Sequence, residues 1–408
     1  MAGVTREVRA AESRLPDRVV IGVLTSVFPP ALVDEVIDAA GARERRSRSL
    51  PARLTVYFTL ALWLFMGCGY DAVLRNLAEG LAWAGGGWGS WRVPSTGSIT
   101  KARARLGQAP LRLLFERVAG PVGTAGMAGV FWRGLRLMSL DGTSVEVPGS
   151  AANSAAFGRP SGSDGWQGAY PQVTLVALAE CGTRALAGAV FGGYRAGEQT
   201  LAAQLTGSMQ AGMLVLADRN FPSVKLWAQA SAQGAELLWR VKAKIFTLPV
   251  LRVLPDGTFV SQITSGKGHR QQQISVRVID YTVTTTTPTG PQHSEPFRLI
   301  TTLTDPAQAP AGELAELYHQ RWQIETLFAA IKTSQRGGAG VILRSHHPDG
   351  VRQELWAMLC TYHALRGLMA TAADTSGTAP LQISFTQALH AARRSVAHAA
   401  SFPPPRAD

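Results

Sequence analysis

Four polar side chains recur along one edge of a helix that we predict from Gly312 to Gln335. They are Tyr318, Arg321, Glu325 and Lys332. At about 100° per residue, their spacing places them within an arc of roughly 60°. A carboxylate flanked by cations is suited to metal or phosphate chemistry, although a solvated charged flank is the commoner origin of such a pattern.

Two aspartates are potential partners for Glu325. Asp141 follows the apolar run Leu135–Leu140, and Asp218 follows the run Met213–Ala217. Both runs predict buried strands, so we expect each strand to end at its aspartate and to hold it at the edge of a sheet. Three carboxylates that meet at one point repel one another unless a cation joins them.

Oxygen ligands of this kind are the ones that Mg²⁺ or Mn²⁺ prefers. Two such ions, roughly 3.5–4 Å apart, would activate a water or a 3′-hydroxyl and stabilise the leaving oxygen of a phosphodiester. Arg321 and Lys332 would then face phosphates, and Arg219, beside the second aspartate, is a further candidate for such a contact. Tyr318 would hydrogen-bond a phosphate or stack on a base.

The elements around these residues predict a mixed sheet with helices on its faces. Three strands, a helix, a strand, a helix and a strand follow one another between Leu135 and Val241. Glu198 opens the first of these helices, where we expect it to be a charge favoured by the helix dipole. Residues 244–296 predict short strands, which we expect to form a small β-rich insertion outside the main sheet.

Residues 1–125 predict helices only. Five arginines lie between Arg43 and Arg53, and Lys101, Arg103 and Arg105 follow on a later helix. Such clusters are suited to contacting phosphates, and a basic solvated surface is the alternative explanation.

Composition favours an intracellular protein with a polyanionic partner. Forty Lys and Arg against 28 Asp and Glu give a net charge of +12, and nucleic acid is the first candidate for such a partner. Three scattered cysteines indicate reduced thiols. The apolar run Leu54–Cys68 is shorter than the roughly 20 residues of a membrane span, and no secretory signal opens the chain. We therefore expect a cytoplasmic protein without a membrane partner.

The motifs resemble those of a known family. The spacing Tyr318-x2-Arg321-x3-Glu325-x6-Lys332 resembles the Y-R-E-K signature of DDE transposases of the insertion sequence four family. DGTSVEVPGSAANSAAFGRP, which begins at Asp141, is similar to the first aspartate motif of that family, and LADRNFPS is similar to the second. The stretch GVLTSVFPPALVDEVIDAAG resembles the start of its N-terminal domain, so the resemblance covers about residues 20–370.

The resemblance implies a mixed α/β fold, with a ribonuclease H-like catalytic core that carries a β-rich insertion and follows an all-helical N-terminal domain. It implies that Asp141, Asp218 and Glu325 bind two Mg²⁺ or Mn²⁺ ions, and that Tyr318, Arg321 and Lys332 contact phosphates near the cut end. An aromatic residue near the second aspartate can hold a flipped base in this family, for which Phe221 and Trp239 are the candidates.

The resemblance also implies a partner and a place in the cell. The partner is double-stranded DNA: the enzyme binds the terminal inverted repeats of the element, cuts there, and joins the ends to target DNA. Related enzymes use a DNA hairpin as an intermediate. A homodimer on DNA, associated with the bacterial nucleoid, is expected. The alternative functions are a DNA-binding repressor or decayed copy without strand transfer, and a nuclease that cuts but does not join.

The expected domain boundaries follow from these patterns. They are 1–125 for the helical domain that binds DNA ends, 126–243 for the first part of the core, 244–296 for the insertion, 297–370 for the second part of the core with the glutamate helix, and 371–408 for a C-terminal tail. The last eight residues, SFPPPRAD, are expected to be disordered, and the short tail leaves little room for a dimerisation domain.

Overall fold

A computed structural model describes most of the chain. The described ranges are 23–46, 50–82, 93–162, 165–242, 247–265, 272–282, 284–287, 290–293, 296–338 and 341–397. The expectation of a disordered SFPPPRAD end lies outside these ranges.

The N-terminal part is helical, as the sequence predicts. Its helices are α1 (Val23–Val27), α2 (Pro30–Ala39), α3 (Ala52–Leu64), α4 (Tyr70–Ala82), α5 (Thr96–Leu106) and α6 (Ala109–Val118). Helix α3 is buried on all sides apart from Arg53, which explains the apolar run in the sequence. Within the described ranges, no helix is long and apolar enough to cross a membrane.

Strands begin after α6. They are β1 (Phe131–Trp132), β2 (Leu135–Glu146), β3 (Gln172–Glu180), β4 (Leu186–Gly193), β5 (Met213–Ala217) and β6 (Glu236–Arg240), with helices α7 (Ala151–Phe157), α8 (Glu198–Ala202) and α9 (Val224–Ser231) among them. Further along lie β7 (Arg252–Val253), β8 (Phe259–Ser265), β9 (Gln272–Tyr281), β10 (Thr284–Thr287), β11 (Gly290–His293) and β12 (Phe297–Thr301). The chain then forms α10 (Ala311–Tyr318), α11 (Trp322–Ala329), α12 (Pro348–Ser376) and α13 (Phe385–Ala397).

Among the described residues, ten of these strands form one mixed sheet. Nine run in the order β4-β3-β2-β5-β6-β12-β9-β8-β7, and β1 pairs with β2. The pairs β2–β5 and β5–β6 are parallel. Strands β10 and β11 form a separate hairpin.

Strands β7, β8 and β9 of the insertion therefore continue the main sheet, and for them the prediction that the insertion lies outside it is wrong. Strand β9 pairs with β12, with Leu299 opposite Ile279. Val276 and Val278 are buried in the same apolar cluster as the centre of β5. Burying these alternate side chains favours extension of the sheet over a separate small domain.

The two faces of the sheet are covered by different helices. Leu140 of β2 packs in the cluster that contains α8 and α9, while the Ser139 hydroxyl donates to the carbonyl of Arg321 on the opposite face. Because successive residues of a strand point to opposite faces, Asp141 lies on the face of α10 and α11. Gly142 lies on the face of α8.

The predicted long helix is continuous but irregular. It consists of α10, one 3₁₀ turn at His319–Arg321, α11, and a π-helical turn at Ala330–Gln335. Turns of both kinds change the rotation per residue. The π-helical turn begins between Glu325 and Lys332, so the rotation per residue there differs from that of a regular α-helix.

The C-terminal helices complete the N-terminal helical core. Trp63 Nε1 donates to the carbonyl of Glu354 at 2.7 Å, and Thr361 Oγ1 donates to that of Leu60 at 3.2 Å. Helix α13 buries Leu389 against the same cluster. The segment that we expected to be a tail is thus part of the core as far as Val396.

Candidate active site

The register of the parallel strands places the two aspartates side by side. Leu140 of β2 is paired with Ala217 of β5, so the next residues of the two strands, Asp141 and Asp218, come at the same level. Contrary to the prediction, Asp141 does not end its strand, because β2 continues to Glu146 and pairs with β3 throughout. Asp141 instead marks the point where pairing with β5 stops.

Helix α11 brings Glu325 to the same place, and a guanidinium group joins it to the first aspartate. Arg321 Nη1 donates to Asp141 Oδ2 at 3.3 Å, and Arg321 Nη2 donates to Glu325 Oε1 at 3.0 Å. The Arg321 side chain is only 8% exposed, whereas that of Glu325 is 40% exposed. The cluster therefore has a buried side at Arg321 and an open side at Glu325.

Burial and the neighbouring charges shift the pKa values of Asp141 and Arg321. Burial raises the pKa of Asp141 to about 6, and the charges of Asp218 and Glu325 add to this effect, against the Gly142 N–H and Arg321. Burial lowers the pKa of Arg321, but the groups around it, mainly acidic, outweigh burial and raise it. The site thus holds more negative charge than one guanidinium compensates.

A divalent cation fits the chemistry of these donors. Carboxylate oxygens alone, with Glu325 open to solvent, are the ligands that Mg²⁺ or Mn²⁺ takes. In the part of the chain that the structure describes, no three acidic, histidine or cysteine side chains are arranged as a metal-binding group. Arg321 lies between two of the three carboxylates, so it has to move before they can share an ion.

Tyr318 is buried beside Asp218 and Arg321. Its side chain is 3% exposed, and its hydroxyl donates to the carbonyl of Ala217 at 3.4 Å. Burial raises the pKa of this phenol. The hydroxyl thus tethers α10 to the end of β5, next to Asp218, and the predicted contact of Tyr318 with a phosphate or a base stays a prediction.

The two remaining predicted cations differ in their surroundings. Lys332 is half-buried, and its pKa is lowered by burial and by Arg336, against the charge of Glu146. Glu146 is five residues from Asp141 along β2, or roughly 16 Å. Arg219 is exposed directly after Asp218, and its contact with a phosphate stays a prediction.

The predicted base-stacking residues are in the core. Phe221 and Trp239 are each 0% exposed, and Trp239 packs edge-on against Trp227. The structure therefore contradicts the prediction that either ring stacks on a base. Trp322 is 56% exposed, and its ring centroid lies 5.4 Å from the Arg321 guanidinium carbon. The sequence patterns above did not single out Trp322, although it lies outside the apolar stripe of its helix and directly after Arg321.

The basic N-terminal clusters are partly structural. Arg103 is buried and donates to Glu354 Oε1 at 3.1 Å, and Arg53 pairs with Asp34. Both are therefore removed from the predicted phosphate contacts. Arg45 and Arg46 are exposed, and they line a cavity of about 350 Å³ between their loop and α5.

Comparison with known sequences defines the class and then the family. Residues 132–363 match the family described as "Transposase DDE domain", which places the chain in the class of DDE transposases. Residues 18–116 match "Insertion element 4 transposase N-terminal". The chain belongs to the insertion element 4 family of DDE transposases.

Two relatives from Escherichia coli strain K12 are similar to this chain. The transposase InsG for insertion sequence element IS4 is 28% identical over 373 residues, which are 89% of this chain and 80% of the relative. The putative transposase InsZ is 26% identical over 198 residues, which are 48% of this chain and 63% of the relative. A solved structure of the piggyBac transposase synaptic complex with hairpin DNA has a TM-score of 0.47 and 10% identity, over 94% of this chain and 82% of that chain.

Proposed function

We propose that this protein cuts double-stranded DNA at the terminal inverted repeats of its element and joins the ends to target DNA. The observation that supports this most directly is the meeting of Asp141, Asp218 and Glu325 around Arg321. The three carboxylates come from two neighbouring strands and from the helix that covers them. This is a rigid frame for phosphodiester chemistry.

The carboxylates would hold two Mg²⁺ or Mn²⁺ ions. When bound, such ions supply an activated water or 3′-hydroxyl and stabilise the leaving oxygen of the phosphodiester. Arg321, released from Asp141, would turn to the phosphate at the cut site, because its planar fork binds phosphate as it binds carboxylate. Arg219 and Lys332 would bind phosphates further along the same strand of DNA.

The exposed aromatic residue beside the site would bind a base. Trp322 is the first residue of α11 and lies in the same turn as Glu325, and more than half of its side chain is exposed. Stacking of a base on an aromatic ring contributes about 1–3 kcal/mol. Trp322 thus takes the role that Phe221 and Trp239 are too deeply buried to fill.

The exposed arginines of the N-terminal helices would bind the end of the element. Arg45, Arg46 and Arg105 line one cavity, and Lys101 is exposed on the same helix as Arg105. Contacts of this kind with phosphates position a protein on DNA. The ribonuclease H-like identity of the core, a homodimer on DNA, a hairpin intermediate and a place at the bacterial nucleoid belong to the same proposal.

The domain boundaries that we propose differ from those expected. The N-terminal helices and the C-terminal helices α12 and α13 share one apolar core. The catalytic sheet lies within residues 131–301 and includes strands β7, β8 and β9 of the insertion. The glutamate helix at residues 311–335 connects the two parts.

Cleavage of a plasmid that carries the flanking ends of this gene tests the proposal. Wild type, Asp218→Ala and Glu325→Ala would be compared in Mg²⁺ and in EDTA, with Glu316→Gln as a control because Glu316 is exposed one helix earlier. We expect cuts at the element boundary from wild type and the control, in Mg²⁺ only. If all the proteins bind the ends and none cuts, the alternative of a DNA-binding repressor or decayed copy is supported. Cuts without joining would favour the nuclease.

A further inference from the structure

A fourth carboxylate lies close to β2 on the other face of the sheet. Glu198, at the start of α8, lies against Gly142 of β2, on the face opposite to Arg321 and Glu325. A β-carbon at Gly142 would be 3.0 Å from Glu198 Cδ and 3.3 Å from Cγ, and closer still to Oε1. Real β-carbons are essentially never as close to another atom as this one would be to Oε1, so the carboxylate occupies the space that a side chain at position 142 would fill.

Helix α8 is fastened to the loop that carries Asp218. Gln199 Nε2 donates to the carbonyl of Asn220 at 2.9 Å and to that of Pro222 at 3.5 Å. The residue beside Glu198 is therefore tied to the chain that immediately follows the second aspartate. Consistent with this placement, burial raises the pKa of Glu198 and the charge of Asp218 adds to the effect.

A favourable interaction with the dipole at the N-terminus of α8 does not account for the position of Glu198. Helix α8 has five residues, and the dipole of so short a helix is small. A carboxylate that only served the dipole would be more stable in solvent than half-buried beside Asp218. Its position at the aspartate-bearing edge of β2 and β5 points to the same ligand as the other three carboxylates.

We propose that Glu198 is a fourth carboxylate of the divalent-cation site, directed to Asp218 through the space that Gly142 leaves in β2. This inference rests on the proposed function, because it adds a residue to the same site. Gly142 acts by leaving room: a larger residue there would push the Glu198 carboxylate away from the aspartates.

Binding of Mn²⁺ to the DNA-free protein, followed by the electron paramagnetic resonance of free Mn²⁺, tests the role of Glu198. Glu198→Gln keeps the shape of the side chain and removes its charge. We expect it to weaken the Mn²⁺ affinity by tenfold or more, the range that is typical when a group supporting a metal site is lost. Glu316→Gln removes the same charge from an exposed position and is expected to stay within twofold of wild type.

A double-mutant cycle tests the role of Gly142. Gly142→Ala is expected to weaken Mn²⁺ binding to a similar degree as Glu198→Ala. In the Glu198→Ala background, where the space is free, the same glycine change is expected to have little further effect, because the two residues act through one contact. Additive losses would show that Gly142 acts on Asp141 directly and would overturn this part of the proposal.

Asp218→Ala separates failure of this inference from failure of the proposed function. If Asp218→Ala binds Mn²⁺ as well as wild type does, the carboxylate cluster is not a cation site and both proposals fail. If Asp218→Ala loses Mn²⁺ and Glu198→Gln binds normally, only the role of Glu198 is refuted. Circular dichroism of each variant establishes that the comparison is between folded proteins.

Discussion

Replacing Asp141 with asparagine is expected to stabilise the metal-free protein at neutral pH. Asparagine keeps an oxygen that can accept from the Gly142 N–H, now at 2.8 Å, and removes the charge. Burial, together with the charges of Asp218 and Glu325, raises the pKa of Asp141 from 3.8 to about 6. A change of that size corresponds to about 3 kcal/mol. Since the side chain is only 16% exposed, little of this is lost to screening by solvent.

The direction of the pH dependence of stability follows from which state, folded or unfolded, binds the proton of Asp141 more tightly. In the unfolded chain the carboxyl group loses its proton near pH 4, whereas in the folded protein it keeps the proton to about pH 6. Between these values the folded state binds more protons, so the stability of wild type falls as the pH rises from 4 to 6. We expect Asp141→Asn to exceed wild type by about 2–3 kcal/mol at pH 8, with the difference shrinking as the pH falls below 6.

Urea unfolding in EDTA, followed by tryptophan fluorescence, measures this difference at pH 5 and pH 8. Asp280→Asn is the control, since it removes an exposed carboxylate that pairs with Arg298 and should change stability by less than about 1 kcal/mol at either pH. Mn²⁺ is expected to stabilise wild type more than Asp141→Asn. If Asp141→Asn is less stable than wild type at pH 8 in EDTA, the ion pair with Arg321 outweighs the crowding of carboxylates, and our account of the electrostatics is wrong.

Three further predictions concern the helix that carries Glu325. Arg321→Ala is expected to bind Mn²⁺ more tightly than wild type in the absence of DNA, because the guanidinium competes with the ion for Asp141 and Glu325; weaker Mn²⁺ binding would contradict this. The same variant is expected to lose cleavage of the ends, because it lacks the group that we propose binds the phosphate at the cut site. Tyr318→Phe should change the free energy of unfolding by at most about 1 kcal/mol and retain cleavage. Tyr318→Ala should lower the free energy of unfolding by about 3–5 kcal/mol. A folded Tyr318→Phe variant that cannot cut would show that the hydroxyl acts on DNA. Trp322→Ala should leave stability within about 0.5 kcal/mol and reduce cleavage of the ends by tenfold or more, and normal cleavage would remove the stacking role.

Much of the site could be predicted because its signals are local. Asp218 follows an apolar run whose bounds, Met213–Ala217, are those of the observed strand. The spacing of Arg321 and Glu325 by four residues places them on one face of any helix, and they form an ion pair in the structure. The convergence with Asp141 then required only that the two strands be parallel neighbours.

The remainder depends on contacts between distant residues. The spacing of Tyr318 from Arg321 does not distinguish a buried side chain from an exposed one. Tyr318 is buried because α10 packs on β5. Arg103 pairs with Glu354, some 250 positions away, which the local pattern of cations does not indicate. The role that we propose for Glu198 depends on its contact with Gly142, which only the three-dimensional structure reveals.

The central claim is that Asp141, Asp218 and Glu325 surround one divalent-cation site. Cleavage of the protein backbone by Fe²⁺ with ascorbate and peroxide tests it directly, because the radicals form at the bound ion and cut the chain nearby. We expect cuts close to residues 141, 218 and 325, which excess Mg²⁺ suppresses and Asp218→Ala abolishes. Cuts elsewhere that Asp218→Ala does not change, or no cuts in the wild type, would contradict the claim.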